Sequence, residues 1–369
     1  MAEWERVSLG EVVSICTGKL DANVADVNGA YPFFTCSIEP LRINKYAFDC
    51  DAILVAGNGD LNVKHYHGKF NAYQRTYVIC ATKENKIFSR YLYYFLDRYL
   101  ITLRKQSIGG VIKYIKIGNL TEAIIPLPPL EEQRRIAAIL ESADAIRTKR
   151  KAAIAKLDEL AQSIFLDMFG DPVKNEKGWD VKIFNELCES RLGKMLDEKK
   201  QIALSKYKYL RNTNVQWFQI DQNEVAEIGL SDSEKEILAL KKGDILMCEG
   251  GEPGRCAIWE HQEEMYYQKA LHRIRVIDKK IDQQYFVYLF WLLAHRNGLK
   301  DYISVSTIAH LPGEKLKAMK IPVPPYELQK SFCNKILELN VLRRKTQMIL
   351  SREEQLFSSL QQRAFSGEL

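Results

Sequence analysis

Two groups of side chains in this sequence have the hydrogen-bonding chemistry of a binding surface. The first comprises Asn58, Lys64, His65, His67, Lys69, Arg75, Ser107, Lys113 and Lys116. The second comprises Arg211, Asn212, Arg255, Lys269, Ser306, Thr307, His310 and Lys315. Amides, hydroxyls and imidazoles pair with base edges, and ammonium and guanidinium groups pair with phosphates, so the chemistry offered is nucleic-acid contact. Any one of these residues also fits an ordinary solvated turn. What favours contact is that most of them lie in stretches placed equivalently in two parts of the chain: GNGDLNVKHYHGK (57–69) and EGGEPGRC (249–256), then SIGGVIKYIK (107–116) and SVSTIAHLPGEK (304–315). All are read as loops.

Catalytic patterns are missing. PPY occurs once (324–326), but Val323 precedes it and cannot hold an exocyclic amine as the clamp of an amino-methyltransferase would. There is no Walker-type phosphate loop, and GNGD (57–60) and EGG (249–251) read as turns rather than cofactor loops. His65-Tyr66-His67 offers two metal ligands without spaced partners, and the eight cysteines follow no zinc or disulfide spacing. No catalytic, metal or cofactor-binding residue is therefore assigned.

These groups must be held by folded elements. The longest apolar run, 285–294, is too short for a membrane span of ~20 residues and reads as a buried core segment. Reduced cysteines and an N-terminus without an apolar leader read as cytoplasmic. The net charge of +6 permits an anionic partner without demanding one.

The chain repeats itself. WERVSLGEVVSICTGK (4–19) aligns without gaps on WDVKIFNELCESRLGK (179–194), and IIPLPPLEEQ (124–133) aligns on KIPVPPYELQ (320–329). YPFFTCS (31–37) sits roughly opposite YLRNTNV (209–215), Tyr73-Gln74-Arg75 opposite Tyr267-Gln268-Lys269, and Tyr91 opposite Tyr285. The offset grows only from 175 to 196. Each copy reads as a mixed α/β module, with strands at 52–56, 76–80, 244–247 and 271–277 and an aromatic-rich helix at 89–100 or 283–295.

After each proline cluster comes a stretch without proline or glycine, 131–169 and 327–365, long enough for a helical rod of roughly 58 Å. A 4-3 spacing selects Ile136, Leu140, Ala143, Ile154, Leu157 and Ile164 on the first, with Arg147 and Arg150 among them. The same register selects Phe332, Ile336, Leu339, Leu350, Phe357 and Leu360 on the second, interrupted by Arg343 and Glu353. That is a coiled-coil seam with a polar middle. The organisation is then 1–128, first module; 129–170, central helix; 171–324, second module; 325–369, C-terminal helix. The fold class is two tandem α/β (α+β) modules separated by two long antiparallel helices forming a coiled coil, with pseudo-twofold symmetry.

PLPPLEEQRRIAAIL (126–140), its echo PVPPYELQKSFCNKIL (322–337) and the terminal AFSGEL (364–369) resemble the DNA-specificity subunit of type I restriction–modification enzymes. YPFFTCS, SIGGVIKYIK and STIAHL (306–311) are similar to stretches of that family's target-recognition domains, and the likeness covers the whole chain. Tyr326 and Leu328 stand where Leu and Glu are usual. The resemblance implies a non-catalytic subunit that binds double-stranded DNA at a bipartite target, one module per half-site, with the helices setting the spacer. It implies two modification subunits that use S-adenosylmethionine. It also implies that restriction subunits using ATP and magnesium can join, with no membrane involved. A related type II or methylation-only specificity subunit, a stand-alone nuclease or methyltransferase and a protein-binding scaffold remain open readings.

Overall fold

A computed structural model describes residues 4–82, 86–195, 205–305 and 309–369. The first module comprises β1 (Glu5–Ser8), α1 (Leu9–Val12), β2 (Val13–Thr17), β3 (Tyr31–Phe34), β4 (Leu41–Ile43), β5 (Phe48–Ala56), β6 (Val63–Ala72), β7 (Thr76–Ala81), α2 (Ser89–Gln106), α3 (Ile117–Thr121) and β8 (Ile124–Leu127). A six-stranded sheet runs β2-β7-β5-β6-β3-β4, and β1 pairs separately with β8. β5 is its buried centre: Ala52–Ala56 is solvent-free on both faces, with Ile53 and Val55 against α2 and Ala52 and Leu54 in a smaller core with Phe34 and Phe70. α2 buries Tyr91, Leu92, Tyr94, Phe95, Leu96, Leu100 and Leu103, as its helical spacing dictates.

Residues 63–69 are strand, not the loop expected from the sequence. β6 pairs with β5 from Val55↔Val63 to Phe48↔Phe70. Its exposed face carries lysine, histidine and glycine, which hid the strand, and pairing with an apolar partner outweighs that weak local preference.

After α4 (Leu130–Phe169) the second module comprises β9 (Asp180–Ile183), α5 (Phe184–Leu187), β10 (Cys188–Leu192), β11 (Lys206–Leu210), β12 (Val215–Gln216), β13 (Gln219–Ile220), β14 (Ala226–Gly229), α6 (Asp232–Leu238), β15 (Ile245–Cys248), β16 (Cys256–Ile258), β17 (Tyr266–Tyr267), β18 (Leu271–Val276), α7 (Gln283–His295), β19 (Ser304–Val305), β20 (Ala309–His310), α8 (Gly313–Lys317) and β21 (Lys320–Val323). α9 (Tyr326–Ser366) closes the chain. The β1-α1-β2 unit recurs as β9-α5-β10 at the offset of 175, and β8 recurs as β21 at 196. β10-β18-β15-β16 and β14-β11-β17 together repeat the first module's sheet, with the single β6 divided into β16 and β17 by 259–265. The apolar run 285–294 lies within and just past the fully buried stretch of α7, Tyr285–Leu293. No helix among the described residues is long and apolar enough to cross a membrane.

The structure refines the repeat by a residue or two. Tyr73 and Gln268 each donate their N–H to the end of the matching strand, to Phe34 and Leu210. Tyr73 therefore corresponds to Gln268, and the likeness of Tyr73-Gln74-Arg75 to Tyr267-Gln268-Lys269 is one residue out of step. Similarly β3 pairs in parallel through Phe33 and Phe34 where β11 pairs through Tyr209 and Leu210, two residues from the alignment made on Tyr31.

Two compact units divide the molecule, 1–153 with 346–369 and 154–345. In each, half of α4 lies against half of α9. In the first unit Arg150 contacts Glu353 (3.0 Å), and one turn earlier on α4 Arg147 stacks over the Phe357 ring (3.6 Å), one turn later on α9. Numbers falling along one helix as they rise along the other mean antiparallel packing. In the second unit Arg343 binds Asp158 (2.6 Å), and Phe332 meets Phe165 and Phe169 (5.4 Å each). Every position of the 4-3 stripes is buried or half-buried. The seam arginines pair with Asp144, Glu353 and Asp158, and Arg147 and Arg343 also lie over the Phe357 and Phe218 rings. The stripe underestimates the contact, because Phe165, Phe169 and Phe365 are buried beside it. Tyr91 packs on Phe365 (5.2 Å) as Tyr285 packs on Phe169 (4.9 Å). Each module thus buries the start of the helix that follows it and the end of the other helix.

The proline clusters owe their form to a buried glutamine. Gln133 Nε2 donates to the Pro128 and Lys86 carbonyls (2.8 and 3.0 Å), and its Oε1 accepts from Phe88 N–H (2.8 Å). Gln329 repeats all three bonds with Pro324, Lys280 and Asp282. Tyr91 and Tyr285 hydroxyls donate to the equivalent Pro126 and Pro322 carbonyls. The residue types of PPxxxQ are what this junction requires: prolines supply carbonyls without competing donors, and one amide satisfies three backbone groups, the Pro128 or Pro324 carbonyl among them fully buried.

Candidate nucleic-acid interface

In the first module four segments are tied together by backbone pairing. Gly57 N–H donates to Arg75 (2.8 Å), Ile115 N–H to Gly57 (2.9 Å) and Gly59 N–H to Lys113 (2.9 Å). Ile108 and Tyr114 exchange both hydrogen bonds (3.0 and 2.9 Å), and Tyr114 also bridges Asn58. Asn62 Nδ2 holds the Cys36 carbonyl (2.8 Å). Segments 35–37, 57–62, 73–76 and 107–116 therefore form one cluster.

The second module rebuilds most of this cluster. Glu249 N–H donates to Ala270 (2.9 Å) and Leu311 N–H to Glu249 (2.7 Å). Ser304 lies opposite His310, which bridges Gly250. Arg255 donates to the Asn212 carbonyl (3.1 Å) as Asn62 does to Cys36. The Tyr77 hydroxyl donates to the Ile115 carbonyl (3.1 Å), and His272 Nε2 lies 2.9 Å from the equivalent Leu311 carbonyl. The backbone arrangement is shared and the side chains differ.

Most of the residues singled out from the sequence join these clusters. Asn58, Arg75, Ser107 and Lys113 do so in the first module, Arg75 and Lys113 exposed and the other two half-buried. Lys116 is exposed at the N-cap of α3. Arg211, Asn212, Arg255, Lys269 and His310 do so in the second. Lys315 lies half-buried in α8. Ser306 and Thr307 fall outside the described residues. Lys64, His65, His67 and Lys69 lie along β6. His65 Nε2 binds Asp51 (2.6 Å). Burial pushes the Asp51 carboxyl up, but hydrogen bonds from Ser89 and His65 outweigh it and hold its pKa below the usual value. Lys64 reaches Asn62 Oδ1, and burial lowers its pKa. Lys69 sits over Tyr46 (4.8 Å), while His67 is exposed. Arg255, with its second bond to Glu252 (2.9 Å), braces the loop. Asn62, its counterpart, escaped the sequence reading because an amide matches a guanidinium only once the carbonyl they share is seen.

The Tyr77/His272 difference makes the second cluster acid-sensitive. Burial lowers the His272 pKa, opposed by its bond to Leu311 and by Glu249. The unfolded chain therefore takes up a proton near pH 6.5 while the folded one does not, so this contribution is complete above about pH 6.5 and is lost as pH falls below it. Burial raises the Tyr77 pKa, which leaves the first cluster without this response. Hydrogen exchange between pH 7.5 and 5.5, corrected for intrinsic rates, should show protection falling around 309–312 and unchanged around 113–115. In His272→Gln the difference should vanish.

The chain thus carries two like α/β modules, each packed on one half of α4 and one half of α9 and each presenting a loop cluster with side chains of its own. A family model described as the type I restriction modification DNA specificity domain matches residues 1–156 and 176–337. The chain belongs to this family and is a specificity subunit, directing sequence-specific DNA recognition within a type I restriction–modification system and carrying no catalysis of its own. It is 42% identical over 160 residues to the EcoDI specificity subunit of Escherichia coli, a match covering 43% of this chain and 35% of that one. It is 24% identical over 371 residues to the MjaVIII specificity subunit of Methanocaldococcus jannaschii, covering 92% and 87%. The fold matches the crystal structure of the S subunit of a type I system from M. genitalium, with TM-score 0.56, 16% identity and coverage of 98% and 96%.

Proposed function

We propose that the two loop clusters contact the two halves of a bipartite double-stranded DNA target, one module per half-site, and that α4 and α9 set the spacer between them. The observation that carries this reading is the repetition of most of the cluster's backbone links with different side chains. A common scaffold with different surface groups is what reading two different sequences in the same manner requires. Phosphate contacts from the exposed lysines and arginines supply affinity, and base-edge contacts supply discrimination. Two modification subunits carry S-adenosylmethionine and methylate adenine N6; restriction subunits bring ATP and magnesium where the system includes them, and the assembly works in the cytoplasm. The family's own domain carries none of these cofactors.

Substituting Arg75 or Lys113 should alter recognition at the first half-site alone, and Arg211 or Lys269 at the second alone, by ~1–3 kcal/mol for a base-reading residue. Long-read methylation profiling of cells carrying each variant with its modification partner checks this. An unchanged motif across the whole set would remove the loops from the interface. Inserting seven residues, two helical turns, into 145–155 of α4 and the facing part of α9 should change the methylated spacer length. A constant spacer would defeat the ruler role.

A further inference from the structure

The tip of segment 107–114 is apolar and unpartnered. Val111 is 104% exposed and Ile112 63%, in a chain whose other apolar side chains in this module are mostly buried. The tip is not loose. Ile108 and Tyr114 close its base with two backbone bonds, and Lys113 accepts from Gly59. Gly109 takes φ +113° with the Ile112 carbonyl packed against its Cα, where a side chain would not fit, so the turn is held tight below the two residues. Two β-branched side chains are thus presented to solvent on a pinned hairpin. Lys113 and Lys116 flank them, both exposed.

Resting on the reading above, we infer that Val111 and Ile112 recognise the 5-methyl group of a thymine in the major groove of the first half-site. Three observations point to this occupant. The tip belongs to the cluster of polar loops and extends from it. The charges that follow it, Lys113 and Lys116, are positive and match a phosphate-lined groove. An apolar tip with no hydrogen-bonding side chain selects the one apolar group that base pairs expose in that groove. β-branched side chains have few rotamers to lose on contact.

The test uses the full chain assembled with its modification partner, on duplexes bearing the motif that profiling reveals. Replacing thymine by deoxyuridine, one position at a time, removes only the methyl group. At one first-half-site thymine the wild type should lose affinity about fourfold, as for one buried methyl at ~0.8 kcal/mol. The Val111→Ser/Ile112→Ser variant should bind the thymine and deoxyuridine duplexes equally. A first half-site without thymine on either strand overturns the inference, as does a variant that keeps the wild-type deoxyuridine sensitivity. So does a variant defective in assembling with the modification partner but normal in thymine discrimination, which would make the tip a protein contact. Wild-type complex that shows no sequence preference at all would instead overturn the half-site reading itself.

Discussion

Gln133→Leu should destabilise the first unit by about 3–6 kcal/mol. Leucine fills similar space but leaves Phe88 N–H and the carbonyls of Lys86 and Pro128 without the partner each has now. An unsatisfied buried polar group costs ~1–3 kcal/mol. For a unit of this size each kcal/mol lowers the melting temperature by about 2–4 °C, so a fall of roughly 6–24 °C is expected in scanning calorimetry. Gln133→Glu keeps the acceptor for Phe88 and removes the two donors, and it should fall between leucine and the wild type only if protonated. Gln329→Leu should reproduce the loss in the second unit. A shift below about 2 °C for both leucine variants would show that water replaces the glutamine and that the junction does not depend on it.

Gly18→Ala and Gly193→Ala should each prevent folding of the module that contains them. Neither glycine has a left-handed backbone. The constraint is proximity: a methyl group on Gly18 would overlap the Ala72 and Tyr73 backbone, and one on Gly193 the Tyr267 and Gln268 backbone. Backbone cannot swing aside as a flexible side chain can, so a loss above about 4 kcal/mol is expected. Gly110→Ala is the control, because nothing lies within 4 Å of its added methyl. Soluble yield and circular dichroism separate the three. Native-like melting of Gly18→Ala would mean that β2 and the β6–β7 turn are not held as tightly as their contacts indicate.

The two glycines also show how far linear reading reaches. The motif Gly-Lys at 18–19 and 193–194 is visible as a repeat, and the stretches without proline or glycine, 131–169 and 327–365, lie within α4 and α9. Periodicity and proline placement are local properties that survive in the chain whatever it packs against. Every position of the 4-3 stripe is buried or half-buried, because one face of a helix is a property of its own spacing. β6 was misread because Lys64, His65, His67, Gly68 and Lys69 have little strand preference of their own and take strand form by pairing with β5.

What the amino-acid order determined by itself is the doubling, the modular division and the apolar faces that had to be covered. What only the tertiary structure decided is which face covers which. Tyr91 meets Phe365 and Tyr285 meets Phe169, although the members of the first pair lie 274 positions apart. It also decided that Arg255 braces where Asn62 does, that Tyr77 and His272 serve one carbonyl position, and that Val111 is left bare. Partners so distant in sequence leave no spacing to read. Their pairing follows from burial and hydrogen-bond satisfaction across the whole fold, which act on surfaces formed only after the chain has closed on itself.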